Sequence, residues 1–203
     1  MSRSESVTNR QTLAAYEAGV DRYVDALAPR PIGPFVDYRE RFVADLPAGA
    51  ELLELGSGPG LDADWFSSRG FDVRRTDATV AFVERLRERG HAADVLDVIT
   101  DELGGPYDGI WASAVLLHLS RAELAAVLVK LRAALSPDGV FGFTVKEGDG
   151  ERWTTDKLDD PRYFVYWRSE PLADLLEATG WHIIELSQQP GRADDWLMVR
   201  ARP

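Results

Sequence analysis

The stretch that decides the fold is Glu51-Leu52-Leu53-Glu54-Leu55-Gly56-Ser57-Gly58-Pro59-Gly60. An apolar, strand-like segment runs into three glycines at alternate positions, and a helical pattern begins directly after them. Glycine lacks a Cβ and adopts positive φ at little cost, so a ligand can lie flush against the backbone of such a turn. A strand that passes through a glycine turn into a helix is typical of the nucleotide-binding crevice of a doubly wound α/β sheet.

Strands and helices alternate along the chain from this stretch onward. The apolar runs and turn signals predict helices over 61–69, 79–89, 121–134 and 170–179, and strands over 51–55, 71–76, 91–95, 107–113, 139–146, 181–187 and 195–201. This alternation favours a Rossmann-like, mostly parallel sheet with helices on both faces. A short loop containing Pro190 and Gly191 joins the last two strands, which predicts an antiparallel hairpin at the sheet edge.

The two segments outside this alternation are less regular. Helices are predicted over 8–28 and 35–45, separated by a proline-rich break at 29–34, whereas 148–168 is polar and then aromatic without clear periodicity. We therefore expect one domain over 1–203. It comprises an N-terminal helical cap at 1–46 and a core at 47–203 that carries 148–168 as an insertion.

Composition limits the class of partner. The chain has 203 residues, 45% hydrophobic and 28% charged, with a formal charge of −11, which argues against binding to nucleic acid or to an anionic membrane surface. It has no cysteine, so disulfides and thiolate metal sites are excluded, and no metal site is predicted. The polar N-terminus lacks an apolar signal segment, so a cytoplasmic monomer or homodimer is expected.

Asp77 lies at the carboxyl end of the second predicted strand. It follows Gly56 by 77 − 56 = 21 residues, close to the roughly 20 residues expected for an acidic side chain that binds ribose hydroxyls. One carboxylate can accept hydrogen bonds from both hydroxyls. The alternative is that Asp77 caps the helix that begins near Thr79.

ELGSGPG resembles motif I of the class I S-adenosylmethionine-dependent methyltransferases, with Glu54 as the acidic residue before the first glycine. The segment 107–118 resembles the fourth-strand motif of the same family. The resemblance implies S-adenosylmethionine as cofactor and a seven-stranded sheet whose last strand is reversed. A dinucleotide fingerprint would require glycine or alanine at position 61, where Leu61 stands.

The resemblance also implies a set of cofactor-binding residues. Asp94 would accept from the adenine amino group and the backbone of Val95 would meet the ring, although Asp97 is close enough to be the contact instead. Backbone carbonyls at Ala112 and Ser113 would receive the methionine ammonium. The full predicted cofactor set is Tyr16, Glu54, Gly56, Ser57, Gly58, Gly60, Asp77, Ala78, Asp94, Val95, Ala112 and Ser113.

Candidate residues for the acceptor side are fewer and each has a structural alternative. His118 follows the fourth strand and is either a general base or a packed histidine that bonds a loop carbonyl. Lys146 and Glu147 follow the fifth strand and form either a pocket wall or a solvated loop. The predicted substrate set is completed by three aromatic residues that alternatively cover the core: Tyr23, Tyr166 and Trp167.

Tyr16 and Tyr23 are seven residues apart, so both face one side of the N-terminal helix. They either shelter a sulfonium or contact the acceptor, or they belong to the apolar stripe by which the helix packs.

The predicted function is methyl transfer to an oxygen, nitrogen or similar nucleophile of a small molecule, by direct in-line displacement. The sequence carries no catalytic triad or metal cluster, and this chemistry requires neither. No Asn-Pro-Pro-Tyr-like tetrapeptide follows the fourth strand, which weighs against nucleobase methylation. The alternatives are a catalytically silent S-adenosylmethionine-binding protein and, less favoured, an NAD(P)-dependent oxidoreductase.

Overall fold

The computed structural model describes residues 7–27, 34–191 and 193–203, with side chains omitted at 34–36. Residue 28, most of the predicted proline-rich break and Arg192 lie outside the described residues. The strands are β1 Glu51–Glu54, β2 Asp72–Asp77, β3 Ala93–Val95, β4 Tyr107–Ser113, β5 Leu135–Lys146, β6 Glu151–Thr154, β7 Arg162–Val165, β8 His182–Gln189 and β9 Trp196–Arg202. The helices are α1 Val7–Ala18, α2 Val20–Leu27, α3 Pro34–Ala44, α4 Leu61–Ser67, α5 Val80–Glu88, α6 Arg121–Ala134 and α7 Ser169–Ala178, with a 3₁₀ turn at Leu116–His118.

The main sheet has seven strands in the order β3-β2-β1-β4-β5-β9-β8. Strands β1 to β5 pair in parallel, whereas β9 runs antiparallel to both of its neighbours, β5 and β8. This arrangement confirms the predicted doubly wound, mostly parallel sheet with one reversed strand. The strand order changes direction between β1 and β4, where open α/β sheets bind their ligands.

Both faces of the sheet are covered, as the strand pattern requires. Neighbouring residues of β1 point to opposite faces, so Leu52 joins a cluster with Trp111 while Leu53 joins the cluster of Ile110. All four are at most 1% exposed. Helix α6 covers the second face and begins with a capping box in which Ser120 and Glu123 exchange hydrogen bonds.

The predicted helical cap is not separate from the core. The Tyr38 and Phe42 side chains of α3 are fully buried against Trp111, and the Tyr38 hydroxyl donates to the carbonyl of Phe143, 3.1 Å away. Helix α3 therefore completes the layer that covers one face of the sheet.

The predicted single helix over 8–28 is wrong, because a turn at Gly19 divides it into α1 and α2. A Cβ at Gly19 would lie 2.7 Å from Cδ2 of Leu158, so any larger residue there would force the Leu158 side chain to move. The fifth strand, predicted over 139–146, begins earlier. It starts at Leu135, and residues 136–139 form an irregularity in its pairing with β4.

The segment 148–168 contains a hairpin that its sequence did not predict. Strands β6 and β7 pair antiparallel as a separate two-stranded sheet, with Glu151 opposite Val165. All four residues of β7 are buried, because β7 packs against α1 and the 3₁₀ turn. None of the helices within the described residues is long and apolar enough to cross a membrane.

Candidate active site

The glycine turn after β1 has the backbone that its sequence predicts. Gly56, Gly58 and Gly60 have φ of +62°, +50° and +85°, values that favour glycine. A Cβ at Gly56 would lie 2.4 Å from Cγ2 of Val115, whereas a Cβ at Gly58 would meet nothing within 4 Å. Gly56 is therefore required by packing, and Gly58 faces open space that a ligand can enter.

Hydrogen bonds fix this turn against β2. The Ser57 amide donates to the carbonyl of Thr76 at 2.8 Å, and the Thr76 amide donates back to the Ser57 hydroxyl at 3.1 Å. The Thr76 hydroxyl donates to the carbonyl of Glu54 at 2.7 Å. Ser57 and Thr76 are both buried, so the shape of the turn is set before any ligand binds.

Two backbone amides hold the Asp77 carboxylate in place. Its carboxylate accepts from the amide of Gly58 at 2.9 Å and from the amide of Thr79 at 2.8 Å, so it connects the glycine turn to the start of α5. Burial raises its pKa, although both amide bonds oppose the shift. Asp77 also lines the cavity described next, where its remaining lone pairs can accept ligand hydroxyls.

One cavity opens at the carboxyl ends of β1, β2 and β4, and we call it the sheet-edge cavity. Helix α1 covers this cavity with one of its faces. The lining residues come from α1, α2, the glycine turn, the start of α5, the segment after β3 and the segment after β4: Asn9, Thr12, Leu13, Tyr16, Tyr23, Leu55, Gly56, Gly58, Asp77, Ala78, Thr79, Phe82, Leu96, Asp97, Val98, Ser113, Ala114, Val115, His118 and Leu119.

The predicted site residues divide into two groups. Those that line the cavity are Tyr16, Tyr23, Gly56, Gly58, Asp77, Ala78, Ser113 and His118. Those that the structure keeps outside its lining are Glu54, Ser57, Gly60, Ala112, Asp94, Val95, Lys146, Glu147, Tyr166 and Trp167. The second group contains residues that shape the glycine turn, residues that face solvent and residues that pack beneath the cavity.

Neither Asp94 nor Val95 lines the cavity. The Asp94 carboxylate pairs with Nε of Arg74 at 2.9 Å, and Val95 is 47% exposed. Asp97, the alternative contact, lines the cavity between Leu96 and Val98. Its carboxylate accepts from the Ile99 amide at 2.9 Å and from Nδ2 of Asn9 at 3.0 Å. Of the two candidates, Asp97 is therefore the one that lines the cavity.

Glu54 lies inside the turn rather than at its surface. It is 3% exposed, and its Oε2 atom has no hydrogen-bond partner among the described residues. Burial raises its pKa to about 8, and the negative charge of Asp62 adds to the shift. With this pKa, Glu54 is mostly protonated at neutral pH and presents no negative charge to a ligand. Its buried side chain instead packs inside the glycine turn. Ala112 is likewise part of the apolar core.

His118 is held by hydrogen bonds on both ring nitrogens. Its Nδ1 lies 2.6 Å from the carbonyl of Tyr163, and its Nε2 lies 3.0 Å from the hydroxyl of Tyr16. A carbonyl can only accept, so Nδ1 carries the proton and Nε2 accepts from Tyr16. Burial lowers the pKa of His118 to about 3, with nearby cations adding to the shift, and the ring is therefore neutral.

Tyr16 connects His118 to a buried arginine. Nη1 of Arg162 donates to the Tyr16 hydroxyl at 2.9 Å, and the guanidinium carbon lies 5.1 Å from the centre of the Tyr16 ring. The rings of Tyr16 and Tyr23 meet edge to face at 5.3 Å. Burial raises the pKa of Tyr16 and keeps its hydroxyl protonated.

The four predicted residues around β5 and β7 do not line the cavity, and each contacts another side chain of the protein. Lys146 pairs with Asp194 at 2.7 Å, and the Tyr166 hydroxyl lies 3.4 Å from the same carboxylate. The other two are occupied by arginines: Glu147 pairs with Arg168 at 2.5 Å, and the ring of Trp167 lies 4.1 Å from the guanidinium carbon of Arg121.

The predicted site residues do not include the cavity-facing polar residues of α1. Asn9 and Thr12 are 6% and 2% exposed, and the Thr12 hydroxyl accepts from the amide of Tyr163 at 3.1 Å. Their spacing to Leu13 and Tyr16 is i, i+3, i+4 and i+7, which places all four on one helical face. Polar residues within an otherwise apolar stripe were the available signal.

Comparison with known proteins agrees with this geometry. A family model described as a methyltransferase domain matches residues 24–186. The chain belongs to this methyltransferase family, and its sheet has the class I fold of the S-adenosylmethionine-dependent members.

Solved structures share the fold over the whole chain. The 1,6-didemethyltoxoflavin-N1-methyltransferase of Burkholderia thailandensis, solved with 1,6-didemethyltoxoflavin and S-adenosylhomocysteine, is 22% identical, with a TM-score of 0.72 and coverage of 100% of this chain and 92% of that one. DhpI in complex with S-adenosylhomocysteine is 21% identical, with a TM-score of 0.76 and coverage of 98% of both chains. A curated relative, hemagglutinin 1 of Eikenella corrodens, is 28% identical over 132 residues, which are 54% of this chain and 44% of that protein. The chain thus spans less than half the length of that relative.

Proposed function

We propose that this protein transfers a methyl group from S-adenosylmethionine to an oxygen, nitrogen or similar nucleophile of a small molecule. The observation that carries the proposal is the space at Gly58, where a Cβ would meet no atom of the described residues within 4 Å, in a cavity that the Asp77 carboxylate also lines. A nucleoside fits this combination because the backbone permits close approach and the carboxylate accepts from ribose hydroxyls.

The cavity offers donors and acceptors for each part of the cofactor. Asp77 would accept from the ribose, Asp97 from the adenine amino group, and the apolar Leu96 and Val98 would cover the faces of the ring. The backbone around Ser113 would receive the ammonium. The next residue, Ala114, has φ of +58° and donates its amide to the Thr144 hydroxyl at 2.9 Å, which fixes the end of β4.

In such a transfer, the residues of this chain would align the two reactants and exclude water. The cofactor supplies a methyl group on a positively charged sulfur, which is already an activated leaving group. Helix α1 covers the cavity and is attached by Asn9 to Asp97, by Thr12 to β7 and by Glu17 to the start of α5. Desolvation and orientation of the two reactants then lower the barrier.

We propose that His118 positions the hydroxyl of Tyr16 at the acceptor end of the cavity. Its unprotonated Nε2 holds this hydroxyl, and Arg162 approaches the same oxygen as a donor. Direct proton removal by His118 would require Tyr16 to leave Nε2, so a role as general base remains a prediction. Many methyl transfers need no base, because the attacking group is already a competent nucleophile.

A small-molecule acceptor is supported by enclosure and charge. The cavity lies beneath α1, and a net charge of −11 opposes the approach of nucleic acid. The 1,6-didemethyltoxoflavin-N1-methyltransferase, which shares this fold, is named for a small-molecule acceptor, and this is in keeping with the proposal.

Calorimetric titration with S-adenosylhomocysteine and with NAD tests the cofactor assignment. We expect saturable binding of S-adenosylhomocysteine alone, and its loss in Gly58→Val, because that side chain fills the space the nucleoside needs. Incubation with methyl-labelled S-adenosylmethionine and a metabolite library then tests turnover. Binding without any labelled product would favour the silent binding protein, and binding of NAD alone would favour an oxidoreductase.

A further inference from the structure

Arg162 is a buried cation whose charge is not neutralised within the described part of the chain. It is 3% exposed, and its side chain donates to the Tyr16 hydroxyl and to the carbonyl of Asp156. Both acceptors are neutral. Its Nε has no acceptor, and no carboxylate of the described residues lies within 4 Å of the guanidinium.

Three other arginines with little-exposed side chains each have a carboxylate partner. The side chains of Arg39, Arg75 and Arg200 are 15%, 10% and 13% exposed, and each contacts a carboxylate, at 2.8 Å for Arg39 and 3.2 Å for Arg75. Burial of an unpaired charge is strongly unfavourable. Arg162 is more buried than these three and has no such partner, so its counter-charge must come from elsewhere.

A second cation stands beside Arg162. The ring of Phe164 has Nζ of Lys146 at 4.3 Å and the guanidinium carbon of Arg162 at 5.2 Å from its centre. Lys146 is paired with Asp194. This group therefore holds two cations and one carboxylate, and the adjacent His118 is neutral.

The charges are divided across the sheet-edge cavity. Its two lining carboxylates, Asp77 and Asp97, lie at the ends of β2 and β3. The positive charge of Arg162 lies behind the cavity wall, where Nη1 donates to the hydroxyl of the lining residue Tyr16. An anion that binds beside this hydroxyl would approach a guanidinium that no described carboxylate neutralises, a pairing that strengthens in a low-dielectric site.

We propose that the methyl acceptor carries an anionic group, a carboxylate or a phosphoryl-type oxyanion, that binds Arg162. This inference rests on the proposed function and narrows its substrate class. The carboxylate of the cofactor has the same chemistry. The acceptor is favoured because the two side-chain hydrogen bonds of Arg162 go to α1 and to the segment before β7, and neither reaches the glycine turn.

The test uses the full chain loaded with S-adenosylhomocysteine and titrated with inorganic phosphate, benzoate and the neutral benzamide. We expect saturable binding of at least one anion and none of benzamide. Arg162→Gln should weaken anion binding ten-fold or more, since a charge-assisted hydrogen bond is lost, whereas Arg162→Lys should largely retain it. Arg152→Gln is the matched control, because Arg152 is an exposed arginine on the same hairpin.

These measurements distinguish acceptor binding by Arg162 from cofactor binding by Arg162 and from failure of the proposed function. Absence of saturable binding of both anions to the wild-type protein overturns the inference without requiring any variant to fold. Equal anion affinity in Arg162→Gln overturns it as well. If Arg162→Gln weakens S-adenosylhomocysteine but not 5′-methylthioadenosine, which lacks the carboxylate, Arg162 holds the cofactor and the inference is wrong. Failure of the wild type to bind S-adenosylhomocysteine at all contradicts the proposed function, and the inference falls with it.

Discussion

The two halves of the sheet-edge cavity are built in different ways. The glycine half, formed by the turn 56–60 and Asp77, is made by residues close in sequence: the Gly58 amide and its carboxylate partner are 19 residues apart. The hairpin half, formed by α1, His118 and β7, joins Tyr16 to residues 102 and 146 positions away. One half is therefore fixed by local backbone conformation and the other by long-range side-chain pairing.

This difference predicts different responses to substitution. A change in the glycine half should disturb backbone geometry and cofactor affinity together, because both depend on the same amides. A change in the hairpin half should act through burial and charge, and should therefore appear as a dependence on pH or on ligand charge. Among the variants below, Glu54→Gln is the exception in the glycine half, because it removes a buried titratable group. The variants below test that division, beginning with the largest expected effect.

Gly56→Ala should cause the largest loss. The residue would occupy the left-handed region, at about 1–2 kcal/mol, and its Cβ would lie 2.4 Å from Val115, an overpacking that costs about 1–3 kcal/mol. Urea denaturation should show a fall in the free energy of unfolding of roughly 2–5 kcal/mol, and titration should show loss of S-adenosylhomocysteine binding.

Gly49→Ala is the control for Gly56→Ala. Gly49 has φ of +73°, but a Cβ there would meet nothing within 4 Å. Only the backbone cost of about 1–2 kcal/mol should remain, and cofactor affinity should be unchanged. Equal losses in the two variants would mean that the packing of the glycine turn has no special role.

Asp77→Ala should weaken S-adenosylhomocysteine binding by roughly 1.5–3 kcal/mol, because a charged acceptor of ribose hydroxyls is removed. The variant also leaves the amides of Gly58 and Thr79 without their partner. Asp72→Ala, an exposed position at the start of the same strand, is the control for titration calorimetry. Near-wild-type affinity in Asp77→Ala would contradict the ribose assignment.

The sequence predicted the glycine half in detail because its signals are local. The turn itself and the interval to Asp77 follow from residue spacing, and the structure brings Gly56, Gly58 and Asp77 to one cavity. Asp94 shows that residue spacing alone does not predict which side chain reaches the cavity. It and Asp97 are three residues apart, and their roles depend on where β3 ends and on the partners offered by Arg74 and α1.

The hairpin half could not be predicted because the roles of its residues depend on contacts between distant parts of the chain. Arg162 belongs to a segment without periodicity and gives no sequence signal as a buried cation. Its position depends on the pairing of β7 with β6 and on the packing of β7 against α1. His118 was identified as a candidate, but its neutral state follows from burial and from the carbonyl of Tyr163, neither of which is visible in the sequence.

Glu54→Gln tests the buried interior of the glycine half. The folded-state pKa of about 8 exceeds the ordinary value of 4.5, so between these values the folded state binds more protons and stability falls as pH rises. From pH 5 to 7 this group should remove about 2 kcal/mol from the wild type, and Glu54→Gln should lack that loss. Urea denaturation at both pH values measures it, with the exposed Glu51→Gln as control. Parallel pH profiles of wild type and Glu54→Gln would refute a protonated Glu54.

His118→Asn tests the hairpin half and has the smallest expected effect. The pKa of His118 is lowered from 6.5 to about 3, so between these values the unfolded state binds more protons and stability falls as pH falls. From pH 7 to 5.5 the wild type should lose about 1 kcal/mol through this group, in the direction opposite to Glu54, whereas His118→Asn should not. Denaturation at the two pH values measures the difference, with the exposed His182→Asn as control. If His118→Asn kept the wild-type acid sensitivity, the histidine would not be buried in its neutral form, and the hydrogen bond by which it holds Tyr16 would lose its basis.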